Sequence, residues 1–131
     1  MAIFRLTEAN FLGETFTAIG SFATSAANGD IIQLIEAPAG TRVVDSKVVI
    51  KTSPGGTNNS TLHVGDGGSA GRFQAGVPVS AVGVFSMTPT ATNYNYRFPA
   101  RSTINVQVSA ASAVDLDFDL VVTLVRDNRE V

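Results

Sequence analysis

The sequence predicts an all-β fold, an antiparallel β-sandwich of jelly-roll type with an extended N-terminal arm. Three observations carry that expectation. Apolar and polar residues alternate at a period of two through much of the chain, whereas a helical period is hard to find. Turn-forming clusters separate the alternating runs: "SAANGD" (25–30), "APAG" (37–40), "SPGGTNN" (53–59), "GDGGSAG" (65–71) and "SAASA" (109–113). The twelve Gly and five Pro fall in short clusters with strand-like runs between them, the pattern of a sandwich or jelly roll.

In chain order, residues 1–29 read as an N-terminal arm or edge segment. Phe4, Phe11, Phe16 and Phe22 are spaced too irregularly for a clean strand or helix. They either cap the core or form an arm that docks on another subunit, since a terminus must be tied down to be ordered. Residues 30–131 are assigned to the sandwich. "DIIQLIE" (30–36) is a strand of imperfect alternation. "RVVDSKVVIKT" (42–52) places Val44, Val48 and Ile50 on one face, with Asp45, Lys47 and Lys51 on the other. "STLHVGD" (60–66) directs Leu62 and Val64 inward and His63 outward. Residues 74–92 are small and apolar with Pro78 and Pro89, enough for one or two edge strands. "TINVQVS" (103–109) sets Ile104, Val106 and Val108 against Asn105 and Gln107. "DLDFDLVVTLV" (115–125) sets Leu116, Phe118, Leu120, Val122 and Leu124 against Asp115, Asp117, Asp119 and Thr123. Each run has one core face and one polar face, as half-buried antiparallel strands do.

Composition bounds the function. The chain has 131 residues, the size of one domain. It has no Cys, which removes disulfides, thiolate metal sites and Cys catalysis, and its one His cannot form a multi-histidine centre within one chain. Its net charge of −2 argues against nucleic acid as the main partner, because phosphate binding needs a basic field. Seven of the nine basic residues are Arg, the one enriched at interfaces. The start "MAIFRLTEANFLGETF" lacks the basic head and unbroken apolar run of a signal peptide. No window approaches the ~20 apolar residues of a membrane span, so a soluble protein is expected.

Several motifs invite chemistry. In "LHVGDGGSAGRF" (62–73), Gly67 to Gly71 spell G-x-S-x-G, and Gly65, Gly67 and Ala70 spell G-x-G-x-x-A. A nucleophile elbow needs a helix after Ser69 and a His base, usually later in the chain; "RFQAGVPVS" is no helix, and His63 lies upstream. The dinucleotide fingerprint needs a βαβ unit, which the chain lacks. The stretch therefore reads as strand, glycine loop and return, with Asp66 accepting backbone N–H groups. Asp115, Asp117 and Asp119 suggest calcium by oxygen count. Same-face neighbours on one strand stand roughly 6.5–7 Å apart, so a cross-strand pairing with Lys47, Lys51 or an Arg is the simpler reading. "TNYNYRFPA" (92–100), if extended, aligns Tyr94, Tyr96 and Phe98, either as a sugar platform or as core. No catalytic residue, metal or cofactor is assigned, and the chain reads as a non-enzyme.

Three stretches together resemble a known group: "GDIIQLIEAPAGTRVVDSKVVI" (29–50), "STLHVGDGGSAGRF" (60–73) and "STINVQVSAASAVDLDFDLVVTLV" (102–125). They resemble small structural proteins of tailed bacteriophages, over roughly the last three quarters of the chain. The resemblance implies a virion protein on the capsid surface, assembled in the host cytoplasm. Its implied role is a capsid cement, or decoration, protein, commonly a homotrimer, bound to the major capsid protein where shell subunits meet. The alternatives are a tail or spike component contacting the host, or a carbohydrate-binding sandwich using Tyr94 and Tyr96. Residues expected at the partner contact are Phe4, Arg5, Phe11, Phe16 and Phe22. Val43, Val49, Val121 and Val125, apolar residues on polar faces, are further places to expect intersubunit burial.

Overall fold

The computed structural model of the chain describes residues 13–54 and 59–127. The alternating runs become strands. They are β1 (Gly13–Phe22), β2 (Ser25–Ala26), β3 (Ile31–Ala37), β4 (Thr41–Ile50), β5 (Thr61–Gly65), β6 (Gln74–Pro78), β7 (Gly83–Ser86), β8 (Tyr96–Arg97), β9 (Ser102–Ser109), β10 (Val114–Asp115) and β11 (Phe118–Asp127). One sheet has the order β1-β11-β4-β7, with β8 also paired to β4; the other has the order β3-β9-β5-β6. A two-stranded ladder, β2 with β10, is separate from both. All pairings are antiparallel. The pairs nest: β1 with β11, β3 with β9, β4 with β7 and β8, and β5 with β6. A long hairpin wound over itself so that successive pairs alternate between two sheets is a jelly roll, as expected.

The core lies between the sheets. The first contributes Val43, Val48, Ile50, Phe118, Leu120, Val122 and Leu124; the second contributes Ile35, Leu62, Val64, Val77, Ile104, Val106 and Val108. All five inward residues expected on the last strand are buried, although the run is broken. Residues 114–115 pair with β2, and the chain joins the large sheet only at Phe118. One polar tie crosses the core. Ser46 Oγ on β4 donates to Gln74 Oε1 on β6 at 2.8 Å, and Gln74 Nε2 donates to the Phe85 carbonyl on β7 at 2.9 Å. Each buried polar atom of this chain of bonds is thereby paired.

Two expectations are corrected. Residues 13–22 form a regular ten-residue strand, despite the scattered phenylalanines. The inward face of β1 carries Phe16, Ala18, Gly20 and Phe22, and its middle is small because β3 presses on it. A Cβ on Gly20 would stand 2.7 Å from Leu34 Cβ. Small inward residues erase the hydrophobic alternation that marks a strand. On β4 the buried valine is Val43, and Val44 is only half-buried. Thr123 pairs with Asp45 while Leu124 pairs with Val43, so Val44 is an extra, bulged residue. A bulge reverses the phase of the alternation on its far side, which moves Val43 inward and turns Val44 away. The region 74–92 supplies two edge strands, β6 and β7.

Candidate functional site

The stretch that spells two enzyme motifs is held as a closed structural loop. Asp66 Oδ1 accepts the N–H groups of Gly68 and Ser69, each at 2.9 Å. Asp66 Oδ2 accepts Arg72 Nε at 2.7 Å, and the carboxylate side chain is only 4% exposed. The Arg72 guanidinium lies 4.1 Å from the centre of the Tyr96 ring, a cation–π stack. Tyr96, Phe73 and Phe98 meet edge to face, with ring centres 5.2 to 6.2 Å apart. The backbone closes the loop: Asp66 N donates to the Ser69 carbonyl, and Phe73 N donates to the Val64 carbonyl. A Cβ on Gly65 would stand 2.1 Å from the Ser69 carbonyl oxygen, so the loop can fold over this strand end only because residue 65 is glycine.

Nothing in this arrangement activates Ser69. β6 follows the loop directly, and no helix presents the hydroxyl. His63 Nδ1 accepts the N–H of Gly76 across the β5–β6 hairpin at 3.1 Å, a structural bond. The groove that Ser69 lines, with Ile31, Asp66, Asn105 and Gln107 among others, contains one ionisable side chain, Asp66. That carboxylate is committed to Arg72 and to the N–H groups of Gly68 and Ser69.

The aspartates divide. Asp115 lies on β10, apart from the other two. Lys51 Nζ sits 3.1 Å from Asp119 Oδ1 and 3.5 Å from Asp117 Oδ1, so the cross-strand lysine occupies the place a cation would take. Thr52 Oγ1 donates to Asp117 Oδ2 at 2.8 Å, and Ser21 Oγ donates to Asp119 Oδ1 at 2.6 Å. The Ser21 hydroxyl first, and then Lys51, hold the Asp119 carboxyl below its ordinary range, and Asp119 in turn raises Lys51. At the second sheet's edge, the side-chain hydrogen bond between Arg101 and Glu36 lowers the Glu36 carboxyl. These are solvated ion pairs, of the kind that contribute little individually.

The aromatic platform does not form. Residues 91–95 are a turn, with Asn95 at φ 63°, instead of an extended run. Tyr94 is 53% exposed at that turn, while Tyr96 and Phe98 belong to the internal aromatic cluster. Two tyrosines on different surfaces make no joint sugar-stacking face.

An apolar patch lies on the surface as well. On the outer face of the first sheet, Ile19 of β1 pairs with Val121 of β11, and Val49 of β4 pairs with Val84 of β7. Val49 is diagonal to Val121, because Asp119 and not Val121 is its register partner. The result is an apolar band across four strands, with Ile19 65% and Val84 61% exposed. The Lys51 ion cluster flanks it on one side and the Lys47–Asp45 pair on the other. Of the expected contact residues, Val49, Val121 and Val125 are half-buried on this face, and Val43 is wholly internal. Phe16 is 40% exposed. Phe22 is half-buried, its ring centre 5.8 Å from that of Phe118. Phe4, Arg5 and Phe11 lie outside the described residues.

The fold recurs in phage particles. The chain is similar to one in the cyanophage Pam1 capsid asymmetric unit, with 21% identity and a TM-score of 0.72 over 95% of this chain and 94% of that one. It is equally similar to a chain in the capsid of Ralstonia phage GP4, with 20% identity and a TM-score of 0.72 over 96% and 93%. A chain in the acid-stable capsid of Helicobacter pylori bacteriophage KHP30 matches at 14% identity and a TM-score of 0.57. At these identities the likeness establishes the shared fold. No protein-family model matches the chain, and no curated protein does.

Proposed function

We propose that this protein is a non-enzymatic structural component of a tailed-phage virion, a capsid cement protein that binds where shell subunits meet. One observation carries the reading. Over nearly its whole length the chain has the fold of chains that occur in two phage capsids, and near-equal coverage on both sides makes those chains close to its own length. A small, self-contained jelly roll suits a part added to a shell. The site geometry agrees: the catalytic-looking loop is closed on itself, whereas an apolar band on the first sheet is left for a partner. Cement chemistry is burial. Each copy that bridges shell subunits stabilises the assembled state by mass action, by about 2.7 kcal/mol at a hundredfold excess over Kd.

Purified protein added to expanded capsids assembled without it tests the reading. Binding at subunit junctions on the outer surface, seen in a cryo-EM map, with a higher capsid disruption temperature, is expected. Density confined to the tail would make the protein a tail or spike component, and absence of binding would reject the role. Within the proposal, Phe16 and the segment bearing Phe4, Arg5 and Phe11 contribute contacts. A truncation that probes them must stop at residue 12, because β1 begins at Gly13 and belongs to the sheet.

A further inference from the structure

We infer that the free edge of β1 is a strand-addition site, and that its occupant is residues 2–12 of a second copy of this chain. A sheet edge exposes a row of unpaired N–H and C=O groups, and natural proteins blunt such edges with shortness, Pro, charge or bulges. Three of the four edges here are blunted. β7 has four residues. β6 has five, ends in Pro78, carries Gly76 at φ 70° and shifts register against β5. β3 shifts register against β9 and carries Glu36, paired with Arg101.

From Thr15 to Phe22, β1 has none of these devices. It runs ten residues, pairs with β11 from Gly13–Asp127 to Phe22–Phe118 without a register shift, and has no charge or Pro between Thr15 and Phe22. Among the described residues, no strand pairs with its other edge. Phe16 and Ile19, on opposite faces of the strand, are 40% and 65% exposed. An added strand would bring side chains alongside both, the geometry of β-augmentation.

The occupant follows from the chain that leads into β1. "AIFRLTEANFL" (2–12) holds Ile3, Phe4, Leu6, Phe11 and Leu12 with only Arg5 and Glu8 charged. Extended, these residues reach about 36–40 Å, as far as β1 itself runs. No strong hairpin signal turns them back onto their own strand. Gly13 and Glu14 are already committed to Asp127 and Arg126, so the reversal would fall on Ala9 to Leu12. That stretch has no Asn-Gly, Asp-Gly or Gly-X pair of the kind two-residue hairpin turns favour, and of its four residues only Asn10 takes positive φ readily. Leaving the protomer and lying on the next one satisfies both the segment and the edge. Because each copy gives one segment and accepts one, the exchange closes either as a reciprocal dimer or, head-to-tail, as a ring.

Solution experiments test this without any capsid, so they fail or succeed independently of the cement role. Light scattering should find a closed oligomer for the full chain and a folded monomer for the chain lacking residues 2–12. Should the truncation not fold, Ile19→Lys in the full chain places a charge on the same edge and should likewise yield monomer. The chain has no native Cys, so a Leu6→Cys copy and a differently tagged Thr17→Cys copy should form a mixed disulfide. A full chain that is monomeric, a truncation that keeps the full chain's oligomeric state, or a Leu6→Cys/Thr17→Cys variant that closes its disulfide within one chain would each overturn the inference.

Discussion

Gly65 and Gly67 lie two residues apart in one loop, yet a methyl group would meet quite different surroundings at each. At Gly65 it would run into the backbone of Ser69 and Ala70 at 2.1 to 2.4 Å; at Gly67 it would meet nothing within 4 Å. Gly65→Ala should therefore cost about 3 kcal/mol, since backbone cannot step aside as a side chain can. Gly67→Ala should stay within about 0.5 kcal/mol of wild type. Urea unfolding of the two variants checks both. Asp119 supplies a pH signature. Its carboxyl is held below the range it has in the unfolded chain, so the Ser21 and Lys51 contacts stabilise the fold above that range. Their contribution is lost as pH falls through the lowered folded value. Melting curves from pH 6 down to acid should show a smaller decline in Asp119→Asn than in wild type.

At the scale of the strand, β1 separates two phenylalanines that look alike in the sequence. Phe22 packs on Phe118, whereas Phe16 is 40% exposed. Phe22→Ala should lower the melting temperature by several degrees, and Phe16→Ala should barely change it, as scanning calorimetry would show. The strands with large inward residues were legible: Ile104, Val106 and Val108 of β9 and Phe118, Leu120, Val122 and Leu124 of β11 alternate with other residues, and all seven are buried. β1 was not legible, because its inward face narrows to Ala18 and Gly20, and Leu34 leaves no room for a side chain at position 20. The first half of β4 was misphased because a bulge leaves no mark in an unbroken "VVDSKVV". In the candidate loop, the turn and the role of Asp66 were readable from Gly and Asp. The Arg72–Tyr96 stack was not, since the two residues lie far apart in the chain.

Across the whole molecule, the outermost pair of the wound hairpin joins β1 to β11, about a hundred residues apart in sequence. Closing such a loop costs entropy before its contacts repay it, so the jelly roll should refold in milliseconds to seconds. Stopped-flow refolding from urea would show this, and a microsecond phase carrying the full amplitude would contradict it. The same winding joins segments that are distant in the sequence. The Ser46–Gln74–Phe85 chain of hydrogen bonds ties β4, β6 and β7 together across the core, and the apolar band is assembled from four strands that no local segment contains.

The sequence by itself determined the fold class, the inward faces of most strands and the loop character of "LHVGDGGSAGRF". Each of these depends on period-two alternation or on local turn chemistry, which a single strand or loop expresses on its own. Only the tertiary structure decided the rest. It showed that β1 is an edge strand among the described residues, that Val43 and not Val44 faces the core, that Lys51 sits between Asp117 and Asp119, and that the exposed valines and Ile19 line up as one band. Those facts depend on register between distant strands, and register is set by how two sheets pack, not by any one run of residues.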